Sequence, residues 1–119
     1  MAEKIRQHES HVWLVNTGWS GGGYSAGERM KLSVTRSIID AIHAGQLVEA
    51  NVQADPVFGF GVLQECPHVA SEILRPRDTW SDPNAYDETA RRLGTLFQEN
   101  FQKYEDVAGE EVNAAGPQL

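Results

Sequence analysis

An α/β fold with one strand buried on both faces is what this sequence predicts, and three observations predict it. Val12, Trp13, Leu14 and Val15 are apolar in succession, not in alternation. That pattern marks a strand covered on both sides, as in the interior of a mostly parallel sheet. The run empties into a loop, Asn16 to Gly27, that carries five of the chain's eleven glycines. In the second half Tyr86, Ala90, Leu93, Phe97, Phe101 and Tyr104 recur every three or four residues, one apolar stripe on a helix of about five or six turns.

Taken in order, residues 2 to 9 have helix-forming composition with Ile5 as the single apolar residue after Ala2, and lead into a strand from His11 to Asn16. After the glycine loop, Ser33 or Ser37 offers a helix cap. Ser33 is preferred, with helix from about Val34 to Ala44, Ile38, Ile39 and Ile42 on one side, and Gly45 as the stop. Two β-prone segments follow, Glu49 to Gln53 and Val57 to Leu63, divided by the turn dipeptide Asp55-Pro56. Gln64 to Arg77 is irregular, punctuated by Pro67 and Pro76. Ser81-Asp82-Pro83 then opens the long helix, with Asp82 as cap and Pro83 at the first helical position. From about Glu105 the tail is acidic, rich in Gly and Ala, and expected to be loosely ordered.

A doubly buried strand needs neighbours on both edges and helices on both faces. The other elements are too few to provide them. The expectation is therefore part of a sheet whose remainder lies upstream.

Bulk composition narrows the partners. At 119 residues the chain is one domain's worth, or a piece of a larger one. Its 40% apolar and 23% charged residues are those of an ordinary globular protein. A net charge of −7, with no basic run longer than Arg91-Arg92, excludes a general nucleic-acid surface. The longest wholly apolar run is four residues, too short for a membrane span. The opening MAEKIRQHES is no signal peptide, and Cys66 alone cannot form an internal disulfide, so the expected compartment is the cytoplasm.

Glycines and an arginine between a buried strand and a helix start form a seat for an anionic ligand. Two versions of that seat are testable on residue types. Gly22 and Gly27 have the separation of a Walker A loop, but the lysine and hydroxyl positions after them hold Glu28 and Arg29. A carboxylate there repels phosphate, so that version fails. Gly21, Gly23 and Ala26 satisfy a relaxed dinucleotide fingerprint. However, Asn16 to Ser20 intervene where that motif turns straight off the strand. A flexible surface connection is the plain alternative.

The remaining reactive residues carry less. Cys66 and His68 are two ligands where a metal site wants three or four. His11 and His43 lack partners at ligand spacing, Ser20 has no visible base, and Glu110 and Glu111 are solvated tail residues. Arg75, Arg77 and Asp78 read as a salt-bridged corner before the last helix. Trp13, Trp19 and Trp80 read as packing residues, with Trp19 placed to wall a pocket. No catalytic residue and no metal ligand is assigned.

VNTGWSGGGYSAGERMKLSVTR, from Val15 to Arg36, resembles a segment of the ATP-dependent phosphoenolpyruvate carboxykinases. Those enzymes have VNTGW, a glycine-rich loop, GKR, then Met or Ile, and later TR. SEILRPRDTWSDPNAYDETARRLGTLFQENFQKY, from Ser71 to Tyr104, is similar to the family's ILxPRxTW corner and following helix, and AAGPQL resembles how some bacterial members end.

The resemblance runs through the whole chain. It implies that residues 1–119 are the C-terminal part of the family's nucleotide-binding lobe, from an enzyme that turns oxaloacetate and ATP into phosphoenolpyruvate, carbon dioxide and ADP in gluconeogenesis. It implies ATP contacts from Arg29, Met30 and Thr35: a fixed cation and planar surface, a contact beside the base, and a hydroxyl near the adenine end. It also implies a divalent metal, Mg or Mn, and oxaloacetate, whose ligands lie upstream of the matched region, so this chain is expected to be inactive alone and to need that upstream part.

Glu28 stands where the family usually has Lys, and Ser25 where it often has Gly. The serine costs about 1 kcal/mol or more if the loop needs a positive φ there. Either departure weakens ATP binding, or the loop's side chains point away from the phosphates. The competing expectation is a stand-alone, non-catalytic α/β domain that binds a nucleotide or a protein. A degenerate remnant without function is the third.

Overall fold

A computed structural model describes residues 1–119. The chain opens with α1 (Ala2–His8), which ends at Glu9 in the left-handed region, φ 50°. Residues 11–17 follow without regular structure. A two-residue ladder pairs β1 (Trp19–Ser20) with β2 (Glu28–Arg29), antiparallel. Helix α2 (Leu32–His43) comes next. Its end is a full left-handed cap. Gly45 sits at φ 71° and donates to the Ile42 carbonyl at 3.1 Å, while Gln46 donates to that of Ala41 at 3.0 Å.

A hairpin then joins β3 (Val52–Ala54) to β4 (Gly61–Leu63), with Val52 opposite Leu63 and Ala54 opposite Gly61. Asp55 builds its turn. The carboxylate accepts from the amides of Val57 (2.9 Å) and Phe58 (2.6 Å), and the Asp55 amide donates to the Phe60 carbonyl at 2.8 Å. Cys66 to Val69 is a second turn, closed from Val69 to Cys66 at 3.2 Å with His68 at φ 62°. Pro67 presets the first turn position, which suits a type II turn. Two single-turn helices, α3 (Ser71–Leu74) and α4 (Pro76–Thr79), lead to α5 (Pro83–Phe101). Its cap is the expected one: the Asp82 side chain accepts from the Asn84 amide at 2.9 Å, and Pro83 leads the helix.

The core is small. Ala41, Leu47 and Cys66 are buried, with Trp13, Ile38, Ile42, Ala50, Leu63, Val69 and Leu74 packed around them. Ile39, expected on the same helix face as Ile38, is partly exposed, because one residue's turn of helix carries it off the stripe. The stripe of α5 is half covered. Phe97 meets Phe58 edge-on at 5.8 Å, yet Leu93, Phe97 and Tyr104 remain largely exposed.

Past Glu105 the chain turns, forms α6 (Glu110–Ala114), and returns across α5. The Gln98 side chain donates to the Pro117 carbonyl at 2.8 Å, and the Gln118 amide to the Val57 carbonyl at 2.7 Å. Gly94 is buried beneath this strap: a Cβ there would sit 2.7 Å from Leu119 Cδ2 and 3.2 Å from Val57 Cγ1. The composition that reads as a loosely ordered tail hides these contacts, which involve residues far apart in sequence.

Two expectations need correction. Ser33 does not cap α2; the helix begins two residues earlier, with Lys31 at the cap position and no side-chain cap bond. Ser33 instead lies in the first turn, where its carbonyl accepts from the Ser37 hydroxyl at 3.0 Å. Nor does a parallel sheet form. Both ladders are two-stranded and antiparallel, and residues 11–17 make no backbone hydrogen bond to any strand. A strand is defined by its partners, and these residues offer His11–Asn16 none.

Three measures agree that surface is left uncovered. The accessible area is 9450 Å² for 13.2 kDa, against about 6,400 Å² for a complete domain of that mass. The radius of gyration is 16.0 Å, against about 13.5 Å for a compact chain of this length. There are 61 backbone–backbone hydrogen bonds, where roughly 80 are usual. No helix is long and apolar enough to cross a membrane.

Candidate functional site

The glycine-rich loop is ordered by short-range geometry. Gly21 (φ 82°) and Gly22 (φ 153°) occupy backbone regions that disfavour other residues. The Gly27 and Ala26 amides both donate to the Gly23 carbonyl, at 2.8 and 3.1 Å. Gly27 itself has no room for a side chain, since a Cβ would sit 2.5 Å from the Gly22 carbonyl oxygen and 2.7 Å from that of Ser20.

One long-range staple holds the loop to the rest of the molecule. The Gly21 amide donates to Thr79 Oγ1 at 3.0 Å, and that hydroxyl donates to the Pro76 carbonyl at 2.6 Å. Sequence reasoning missed Thr79. Its signal was the corner motif ahead of the long helix, but nothing local ties that corner to a loop 58 residues upstream.

The ladder fixes how Glu28 sits relative to Arg29. Trp19 is opposite Arg29, and Ser20 opposite Glu28. Adjacent strand residues project to opposite faces, so the carboxylate and the guanidinium do not share a side. Ser25 also falls outside the positive-φ residues, so serine in place of glycine carries no left-handed backbone cost.

Arg29 is exposed and takes part in no ion pair or side-chain hydrogen bond. Met30 is half-buried, held by its amide to the Gly18 carbonyl at 3.0 Å. Thr35 lies half-buried in the first turns of α2, its hydroxyl without a partner in the chain. Because α2 lacks a side-chain cap, the Leu32 and Ser33 amides at its start also have no backbone acceptor. A free guanidinium thus lies three residues ahead of a helix start with open donors, and both favour negative charge.

Beside the loop is an apolar cavity of about 740 Å³ whose walls include Trp13, Met30, Ile38, Phe60 and Trp80. Trp19 is on its rim, packed edge-on against Tyr24 at 5.4 Å. Trp13 and Trp80 are indeed packing residues, Trp80 meeting Tyr86 edge-on at 5.6 Å.

The corner is salt-bridged, with one partner that the sequence did not disclose. Arg75 pairs with Asp78 at 3.3 Å, but Arg77 reaches forward to Asp87 and grips it with two bonds, 2.9 and 3.0 Å. That grip holds the Asp87 carboxyl below, and the Arg77 guanidinium above, their ordinary values. Tyr86 beside them is pushed up, first by burial and then by Asp55 and Asp87. These groups border a second cleft of about 630 Å³ between the hairpin and α5.

Burial also raises the Cys66 thiol above its ordinary value. No group of three His, Cys, Asp or Glu side chains converges, and Cys66 and His68 gain no third ligand.

Comparison with known proteins adds the family context. A family model described as "Phosphoenolpyruvate carboxykinase" matches residues 1–72. Over all 119 residues the chain is 54% identical to a phosphoenolpyruvate carboxykinase (ATP) of Salinibacter ruber. It is 52% identical over 117 residues to that of Thermus thermophilus, and 47% over 119 to that of Dictyostelium discoideum. The match takes in 98–100% of this chain but 21–22% of each relative. The chain therefore spans about a fifth of the length of the curated relatives it matches.

Proposed function

The chain belongs to the phosphoenolpyruvate carboxykinase (ATP) family, and on that premise we propose that it supplies one wall of an ATP site. The complete enzyme would convert oxaloacetate and ATP to phosphoenolpyruvate, carbon dioxide and ADP, a gluconeogenic step in the cytoplasm. The observation that carries this reading is the unpaired Arg29 beside the open start of α2.

Each residue has a distinct part. Arg29 presents its planar cation to the nucleotide. Met30 lies against the base from the edge of the apolar cavity. Thr35 has a free hydroxyl for the adenine end, and the Leu32 and Ser33 amides add donors to nearby negative charge. Glu28, on the opposite face of its strand, leaves this wall uncrossed by a carboxylate.

The chemistry of the family is decarboxylation to an enolate followed by phosphoryl transfer. The divalent metal that the family implies, Mg or Mn, neutralises developing charge in such transfers. The resemblance places its ligands, and the residues for phosphate and oxaloacetate, upstream of the matched region. We therefore read the 119-residue chain as inactive alone, dependent on the rest of the family's polypeptide. Oxaloacetate-dependent ATP turnover by the purified chain would refute that.

The ATP wall is tested in a chimaera, with this chain replacing the matched fifth of a relative. Arg29→Ala should weaken ATP binding by about 10- to 100-fold, the range for loss of a charge-assisted contact. Glu28→Gln should change it by less than about threefold, since its side chain faces away. Calorimetric titration with ATP decides both, and equal effects would overturn the assignment of faces.

A further inference from the structure

We propose that Thr79 is a positioning residue for the nucleotide, holding the glycine-rich loop in the arrangement that sets Arg29 and Met30 for ATP. The inference deepens the ATP-wall reading above and rests on it.

By hydrogen bonding, the loop is tied to the rest of the molecule at one point. Within residues 16–30 the bonds are local: the Gly18 amide to the Asn16 side chain, the Ala26 and Gly27 amides to the Gly23 carbonyl, the β1–β2 ladder, and the Met30 amide to the Gly18 carbonyl. The one hydrogen bond that leaves this segment runs from the Gly21 amide to Thr79 Oγ1, at 3.0 Å.

Both sides of that joint are shaped for it. The Thr79 hydroxyl commits its hydrogen to the Pro76 carbonyl, 2.6 Å away, which leaves its oxygen to accept from Gly21. Gly21 lies at φ 82°, and a Cβ there would sit 3.1 Å from the Thr79 carbonyl oxygen. Only glycine lets the loop approach the corner this closely without strain. The corner is fixed in turn to α5, where Arg77 grips Asp87 with two bonds and Trp80 packs edge-on against Tyr86.

The path from this joint to the ATP wall is short. Gly21 directly follows Ser20, whose ladder partner is Glu28; Trp19 is opposite Arg29; and Gly18 anchors Met30. A loop released at Gly21 therefore loosens the strand that sets both ATP contacts. Thr79 acts through the loop, on the fraction of molecules in which the wall is already in place. Apparent affinity falls with that fraction, whereas bound ATP draws the loop back to its competent state. The signature is a loss of ATP affinity without a loss of saturated turnover.

The test uses steady-state turnover of the chimaera. Thr79→Val should raise the KM for ATP by about 3- to 10-fold, the worth of one net hydrogen bond. It should leave kcat and the KM for oxaloacetate within about twofold of their starting values, and Thr79→Ser should restore the KM for ATP. Gly21→Ala strikes the same joint from the loop side, so the double variant should lose no more than the larger single one. Should Thr79→Val fail to fold, Gly21→Ala carries the same split between the two KM values.

Equal rises in both KM values, a fall in kcat with the KM for ATP unchanged, or additive losses in the double variant would overturn the proposal. Arg29→Ala tests the reading beneath it. If that substitution leaves ATP binding unchanged, the wall is misassigned and the role of Thr79 falls with it. If it weakens ATP binding while Thr79→Val and Gly21→Ala do not, the wall stands and only the role of Thr79 is lost.

Discussion

The surface that this chain leaves uncovered sets how it should behave in isolation. Unfolded, a chain of 13.2 kDa exposes about 19,000 Å², and a complete domain of that mass buries roughly two-thirds of it. With 9450 Å² still accessible, this chain buries about half. Apolar side chains contribute to that shortfall of about 3,000 Å²: Val12 and Leu14 are 60% and 76% exposed, and Leu93, Leu96 and Phe97 of α5 are about half exposed. At about 25 cal/mol per Å² of apolar area, roughly 600 Å² left uncovered is enough to match the whole 5–15 kcal/mol of net stability that a domain typically has. The chain alone should therefore show helix by far-UV circular dichroism and weak near-UV signals. It should bind a hydrophobic dye and melt without a cooperative transition. Its urea dependence should be shallow, about three-quarters of that for a complete domain, in line with the smaller area exposed. A sharp calorimetric transition from a monomer, with calorimetric and van't Hoff enthalpies equal, would refute the reasoning and favour a stand-alone domain.

Two further outcomes follow from individual contacts. Thr79→Val deletes the acceptor of the Gly21 amide; exchange at Gly21 in the chimaera should speed up by about 5- to 30-fold, with Thr79→Ser restoring it, and an unchanged rate would mean the staple is not formed. Burial raises the Cys66 thiol, so its folded form holds the proton where the unfolded form has lost it. The associated stability is full below the ordinary thiol value and is lost as pH rises through that value toward the raised one. Alkylation of the folded chimaera should accordingly reach its midpoint at a higher pH than in urea, and coincident midpoints would exclude the shift.

How legible this molecule was depended on range. The start of α5 was readable because Asp82 and Pro83 act within two residues of each other, and the end of α2 because Gly45 needs no neighbour to reach φ 71°. The start of α2 was misread. Ser33 is a good cap by type, but Met30, anchored to Gly18, sets the chain's course so that the helix begins at Leu32. The Arg77–Asp87 pair lay beyond local reasoning for a similar reason. Asp78 is nearer in sequence, yet the first turn of α5 swings Asp87 into a two-bond geometry that Asp78 does not have.

By itself, the sequence determined the family, by its resemblance over the whole chain, and the positions of α2, the hairpin and α5 to within a few residues. The elements follow from residue types at short spacing, where sterics and hydrogen bonding act within a turn or two. Only the tertiary structure decided which way Glu28 and Arg29 face, because that depends on register with Trp19 and Ser20. It alone showed the tail strapped over Gly94 and the loop stapled to Thr79, which are contacts between distant residues. It also left Val12–Val15 unpaired. Four apolar residues in a row read as a strand to be buried, but burial needs partners, and residues 1–119 bring none to this segment.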